Sequence, residues 1–257
     1  MTKSKQYFIS FWVGLIDADG SIQVNHWREK HLQFRIIIKM KYTSANLEIL
    51  ELLSAQLGFG KVSIVMEKGY KYVIWAENRQ SKIKKVLWIF QNYAPLTSRL
   101  QCQLAFFKQN LEIKNVQNYL KTRSFKYEQQ VQLRQALQLQ NLHALHYFPS
   151  WLSGFIEGEG CFTARKRSSL VVSFSISQKN DSYLLESIKL FVGAVNNVRF
   201  IQKDNLYLLE VYRRSVFDFL HNHFKSYPLL GEKKKQYDRI HAQIILKNFV
   251  HSIDNFL

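Results

Sequence analysis

The sequence predicts a mixed α/β (α+β) fold written twice, in two pseudo-symmetric halves of the order helix, two strands, helix, two strands, helices (αββαββα). Three observations predict it. The segment Phe11-Trp12-Val13-Gly14-Leu15-Ile16-Asp17-Ala18-Asp19-Gly20 returns 140 residues later as Trp151-Leu152-Ser153-Gly154-Phe155-Ile156-Glu157-Gly158-Glu159-Gly160. After each copy the apolar pattern switches between the helical and the alternating period in the same order. Each half then meets a Pro-Leu break, Pro95-Leu96 and Pro228-Leu229, before a final helix.

The elements follow in order. Alternation predicts strands over Ser21–Trp27 and Leu32–Lys41, matched by Cys161–Arg167 and Leu170–Gln178. Helical spacing predicts Asn46–Leu57 and Ser182–Val192. Hairpins come next. The first pairs Lys61–Val65 with Tyr70–Ala76 through Lys68-Gly69, and the second pairs Val198–Gln202 with Leu206–Tyr212 through Asp204-Asn205. Helices are predicted over Ser81–Phe90 and Arg214–Phe224. The halves are therefore residues 1–108 and 149–257, joined by a Gln-, Leu- and Lys-rich helical linker over 109–148. Pro149 and Ser150 suit the entry to the second motif helix.

With 257 residues, 47 % of them hydrophobic, the chain has ample core for this fold. Its formal net charge of +17 points to a polyanionic partner. No segment reads as a basic amphipathic helix for a membrane surface, and none is long and apolar enough to span a bilayer. Met1–Tyr7 lacks the apolar region of a signal peptide. Cys102 and Cys161 match no ligand spacing and are expected as small core residues in a reducing, intracellular setting, organellar or bacterial.

The motif carries a physical signal. Gly14 and Ala18 are four apart, as are Gly154 and Gly158, so each helix presents a small-residue face. A mid-helix glycine costs about 1 kcal/mol relative to alanine. Close approach of the two motif helices accounts for both copies. Gly20 and Gly160 suit a left-handed position past a helix end. Asp19 and Glu159 then sit in the last turns, where the helix dipole disfavours a carboxylate. Two such carboxylates, brought together, would suit a hard divalent cation.

These segments resemble the two LAGLIDADG motifs of single-chain homing endonucleases, and the shared element order covers nearly the whole chain outside the linker. The resemblance implies two subdomains about a pseudo-two-fold axis, with antiparallel sheets forming a saddle over the major groove of duplex DNA. It implies a monomer that hydrolyses one phosphodiester per strand and leaves staggered ends, with Mg²⁺ as cofactor and Ca²⁺ or Mn²⁺ as substitutes. Asp19 and Glu159 take the metal-binding positions, whether or not the main chain at Ala18 joins them; Asp17 and Glu157 take a structural position. Gln178 matches the strand-end glutamine beside the metals, and its first-half counterpart falls near Lys41. Lys233 matches the basic residue after the Pro-Leu break, with Ser98 or Arg99 opposite it, depending on a one-residue gap.

Alternation turns one polar and basic strand face outward for base contacts. In the first half it comprises Gln23, Asn25, Trp27, Gln33, Arg35 and Lys39, with Lys61, Ser63 and Lys71 from the hairpin. In the second it comprises Thr163, Arg165, Arg167, Ser173, Ser175 and Ser177, with Asn197, Arg199 and Tyr207. Two other readings fit the same family: a maturase that binds intron RNA, and an inactive DNA-binding regulator.

Overall fold

Ser4 opens the first helix, its hydroxyl accepting from the Tyr7 N–H at 3.2 Å. Helix α1 (Lys5–Asp19) is almost wholly buried. The computed structural model describes residues 3–166 and 170–254, with side chains over 3–165 and 171–245. In the first half, β1 (Gly20–Trp27) and β2 (His31–Lys41) lead to α2 (Ser44–Leu57), the hairpin β3 (Lys61–Glu67) and β4 (Tyr70–Glu77), and α3 (Gln80–Asn92). After Pro95-Leu96 comes α4 (Ser98–Ile113), which runs through the expected boundary at residue 108. The linker then forms α5 (Val116–Thr122), a 3-10 turn over Arg123–Phe125 and α6 (Gln130–Gln138).

The second half repeats the order. Helix α7 (Phe148–Glu159) has Pro149 in its first turn, where a missing N–H costs nothing. Strands β5 (Gly160–Lys166) and β6 (Leu170–Gln178), helix α8 (Ser182–Val192), strands β7 (Arg199–Ile201) and β8 (Leu206–Val211), and helices α9 (Arg214–Ser226) and α10 (Glu232–Asp254) follow. The two antiparallel sheets have matching orders, β1-β2-β4-β3 and β5-β6-β8-β7. Among the described residues no helix is long and apolar enough to cross a membrane.

Each sheet packs one face on helices and leaves the other open, as the alternation requires. Ile22, Val24, Ile36, Ile38, Val73 and Trp75 are buried on the helix side of the first sheet. There Trp12 stacks on Phe90 at 5.5 Å and meets Trp75 edge-on. Phe162, Phe174, Leu209 and Val211 line the second.

The two motif helices run parallel and touch backbone to backbone. A Cβ on Gly14 would lie 2.8 Å from the Trp151 carbonyl carbon and 2.9 Å from the Phe155 N. One on Gly154 would lie 2.8 Å from the Phe11 carbonyl carbon and 3.0 Å from the Leu15 N. The contacts are reciprocal, as an isologous two-fold interface demands. Two tyrosines repeat the symmetry: Tyr7 OH donates to Pro228 O at 2.5 Å, and Tyr147 OH to Ala94 O at 2.9 Å.

The motif-ending glycines differ from expectation. Gly20 (φ −95°, ψ 170°) and Gly160 (φ −70°, ψ 151°) are extended, because β1 and β5 begin at these residues. Glycine is required there for space, since a Cβ would lie 2.6 Å from Ile16 Cα or 2.7 Å from Ile156 O. Cys161 is exposed rather than in the core, because it pairs with Ser175 on the open face of the second sheet. Cys102 is buried.

Candidate active site

Helices α1 and α7 end side by side, which places two carboxylates at two negative helix ends. A Cβ on Gly158 would touch Asp19, 3.0 Å from Oδ2, so the Asp19 carboxyl lies against the neighbouring motif helix. Asp19 as a residue opens to solvent, yet helix ends crowd its carboxyl. That loss of water raises its pKa to about 6, partly offset by the charges of Lys233 and Arg99. Glu159 is raised to about 7, first by burial and then by the charge of Asp19, with Arg99 and Lys233 opposing. Folding alone gains nothing from this pair.

The earlier acidic residues do different work. Asp17 is fully buried and receives four donors: Leu96 N–H (2.7 Å) and Trp151 Nε1–H (2.7 Å) on Oδ2, Thr97 N–H (3.0 Å) and Thr97 Oγ1–H (2.6 Å) on Oδ1. Glu157 accepts from Leu230 N–H at 3.1 Å and Lys233 N–H at 2.8 Å. Each satisfies main-chain donors at the entry to the helix after its Pro-Leu break, which positions Arg99 and Lys233.

Of the two candidates in the first half, Arg99 alone lines the cleft. Its guanidinium donates to Gly20 O (2.8 Å) and Asp17 O (2.9 Å), carbonyls at the negative end of α1. Ser98 is fully buried and turned away, its N–H (2.9 Å) and hydroxyl (2.5 Å) both donating to Asp181. The one-residue gap therefore falls so that Arg99, and not Ser98, faces the carboxylates.

Gln178 lines the same cleft of about 430 Å³ with Glu159, Arg99, Ser177, Lys179 and Asn180. It sits on the helix-side parity of β6, with Phe174 and Ile176, at the strand's last position. Strand register corrects its counterpart. Gly160 pairs with Ile176 and Gly20 with Ile38, so Gln178 corresponds to Met40, which is buried. Lys41 is one residue further on, opposite Tyr72, and its exposed side chain belongs with Lys39 on the open face. The two halves thus differ: Met40 and Arg99 stand where the second has Gln178 and Lys233.

The donor set suits a hard cation. Among the described residues no three His, Cys, Asp or Glu side chains converge on one point. Asp19 and Glu159 offer two carboxylates, which is what Mg²⁺ takes when water and substrate phosphate complete its octahedron.

The open faces carry most of the expected polar residues. Gln23 pairs with Arg35, whose Nε donates to Gln23 Oε1 at 2.8 Å; Asn25 pairs with Gln33 and Trp27 with His31. Lys39 pairs with Glu67, while Lys61 and Ser63 are exposed on β3. On the second sheet Thr163, Arg165, Ser175 and Ser177 share one face, with Arg199 bonded to Glu210 at 3.0 Å. Arg167 lies outside the described residues.

Four expectations change. Ser173 has the right parity but is buried, its hydroxyl 2.6 Å from Thr163 Oγ1 in a recess walled by Arg165 and Tyr212. Tyr207 shares the parity of Leu209 and Val211 and packs on the core and on Phe200. Lys71 shares the parity of Val73 and Trp75, beyond the core's edge, with its ammonium 3.8 Å from the Tyr42 ring centre. Asn197 precedes β7 and belongs to neither sheet face. Tyr207 and Lys71 differ in strand parity, Ser173 in burial and Asn197 in lying before its strand.

Two groups at the site escaped the sequence. Asp181 looks like the cap of α8 but makes no side-chain cap there, holding Ser98 instead. Tyr127 and Gln130 come from the linker and line the cleft. No local pattern marks either.

A pseudo-two-fold αββαββα pair, with acidic residues meeting where two motif helices end, defines the LAGLIDADG class of protein. The chain matches the description "LAGLIDADG endonuclease" over residues 12–110 and 152–243, and it belongs to that family. It is 42 % identical over 230 residues to "Probable intron-encoded endonuclease aI3" of Dictyostelium citrinum, covering 89 % of this chain and 92 % of that one. The protein of that name from Debaryomyces hansenii is 38 % identical over 90 % of this chain, which spans only 37 % of it. Among solved structures, the I-LtrWI LAGLIDADG homing endonuclease bound to target DNA superposes with a TM-score of 0.73 at 19 % identity, covering 96 % of this chain and 92 % of that one. The meganuclease I-AabMI bound to uncleaved DNA gives 0.70 at 20 %, covering 95 % and 92 %. At these identities the likeness shows the shared fold.

Proposed function

We propose that this chain is a site-specific endonuclease that lays its two open sheet faces on duplex DNA as a saddle and hydrolyses one phosphodiester in each strand. The observation that carries the reading is the meeting of Asp19 and Glu159 at two parallel helix ends, where Arg99 and Lys233 offset their crowding only in part and a divalent cation would complete the balance. The names of the similar proteins, intron-encoded endonucleases and a homing endonuclease on its target, support it.

Asp19 and Glu159 would hold divalent cations, Mg²⁺ foremost, with Ca²⁺ or Mn²⁺ as substitutes. Bound there, the metal supplies Lewis-acid stabilisation of the attacking and leaving oxygens. The chain's own groups do the rest. Arg99, fixed by the carbonyls of Gly20 and Asp17, presents positive charge to a phosphate entering the cleft. Lys233 does so from the start of α10, where Glu157 holds its main-chain N–H. Gln178 can orient a water through its amide, as neither Arg99 nor Lys233 can, because it both donates and accepts. Cuts one per half, set apart by the width of the helix pair, would leave staggered ends. Both motif helices come from one chain and each uses up the other's glycine face, so the active form is a monomer.

The test is Asp19→Asn beside Glu159→Gln, each assayed for cutting with Mg²⁺ and for binding with Ca²⁺ on one duplex. Lost cutting with retained binding is expected. Full cutting by either variant removes that residue from the site.

A further inference from the structure

We propose that the linker segment from Arg123 to Gln130 is a DNA-backbone contact in its own right, gripping phosphates beside the first half only. The inference rests on the DNA-binding reading above. Strand β1 is an edge of the first sheet, α4 packs beside it, and the linker reaches it through Tyr119. Gln103 Oε1 accepts from Ile22 N–H at 2.8 Å, and Tyr119 OH donates to Val24 O at 3.1 Å, so two main-chain groups of that edge are closed by side chains. The same Gln103 donates from Nε2 to Tyr127 OH at 2.8 Å. One glutamine therefore ties the strand edge to the linker and fixes the linker's distance from it.

Between them lies a groove of about 500 Å³. Gln23 and Asn25 of the open face form one wall, and Arg123 and Lys126 form the other. Tyr127 belongs both to this groove and to the cleft that holds Glu159, and Gln130 lines that cleft as well. The groove thus runs from the cleavage centre outward along β1. Its linker wall is basic: Arg123 and Lys126 line it, and the stretch from Lys121 to Gln130 holds one acidic residue, Glu128, against three basic ones. Among the described residues neither Arg123 nor Lys126 takes part in an ion pair; Lys126 stands 4.8 Å from the Tyr127 ring centre. Unpaired cations beside a row of amide side chains fit a sugar-phosphate strand, whose phosphates take the charge while base edges meet Gln23 and Asn25.

Among the described residues the linker segment has no counterpart in the second half. There α10 covers β5, with Tyr237 edge-on to Phe162 at 5.4 Å, an apolar contact. The grip is therefore one-sided, and it gives a pseudo-symmetric protein a fixed orientation on its duplex.

The experiment compares the full-length chain with Arg123→Ala/Lys126→Ala and with a control pair on α3, Lys82→Ala/Lys84→Ala. The probe is a duplex selected by the wild-type chain from a random-sequence pool. Affinity with Ca²⁺ is measured against salt, with a hydroxyl-radical footprint. The linker pair should flatten the log–log salt slope by about 2, near one per lost phosphate contact. It should lose protection in one half-site of the footprint, where the control pair keeps it. A wild type that binds, with slope and footprint unchanged in the linker pair, overturns the inference alone. So does an equal change in the control pair, which would reduce the effect to net charge. A wild type that binds no duplex overturns the DNA-binding reading and this inference with it.

Discussion

Gly14→Ala should cost this protein far more than a glycine substitution normally does. A mid-helix Gly→Ala change gains about 1 kcal/mol from backbone entropy. Here the new methyl would stand 2.8 Å from the Trp151 carbonyl carbon and closer still to its oxygen, where ordinary contact begins at 3.4 Å. Those atoms are main chain of the partner helix and cannot rotate aside, so the helices must part by roughly half an ångström or more. A gap of that size forfeits about a quarter to a half of each dispersion contact across the seam. The seam includes Phe11, Leu15, Trp151 and Phe155, all fully buried. Overpacking of this kind costs about 1–3 kcal/mol, and the rigid obstacle puts it at the upper end, about 3 kcal/mol net. The same parting moves Asp19 from Glu159, so cutting should fall beyond the loss of folded protein. Urea denaturation of Gly14→Ala, Gly154→Ala and Gly69→Ala measures it. Gly69 has φ +81° and nothing within 4 Å of a Cβ, so it reports backbone strain without a clash. If Gly14→Ala unfolds within about 0.5 kcal/mol of wild type, or costs no more than Gly69→Ala, the close-approach argument fails.

Three further outcomes are expected. Asp17→Asn puts an amide NH₂ where two donors converge on each oxygen, so it should destabilise by about 2–4 kcal/mol, read by denaturant melts, while leaving some cutting in the folded fraction. For metal-free protein, Asp19 and Glu159 have folded pKa values of about 6 and about 7, above their unfolded ones. The stability their protonated forms contribute is whole below the ordinary values of 3.8 and 4.5 and is lost as pH rises from there through about 6 and about 7, so melting temperature should fall across that range and fall less in Asp19→Asn/Glu159→Gln. Gln178→Met copies the first half's Met40 into the second and should slow cutting of one strand, seen as accumulated nicked duplex, with binding in Ca²⁺ unchanged.

Much of this was legible in the residues. The repeat of Phe11–Gly20 at Trp151–Gly160 determined two equivalent halves, the period switches determined the order of their elements, and paired small residues implied touching helices. Acidic residues before Gly20 and Gly160 determined which carboxylates could meet. These are local patterns, and the periods of helix and strand translate them directly into faces.

What stayed hidden depended on register and on partners distant in sequence. Alternation says which residues share a face but not where a strand begins to pair, so Tyr207 and Lys71 fell on the wrong side and Lys41 stood in for Met40. A one-residue gap before α4 leaves Ser98 and Arg99 equivalent in the sequence; the bond from the Ser98 N–H to Asp181, 83 residues away, distinguishes them. The glycines after each motif looked like left-handed caps, whereas crowding by Ile16 and Ile156 explains them. Only the tertiary structure decided these points, because each depends on which atoms lie within a few ångströms. Chain proximity does not encode that distance; packing does.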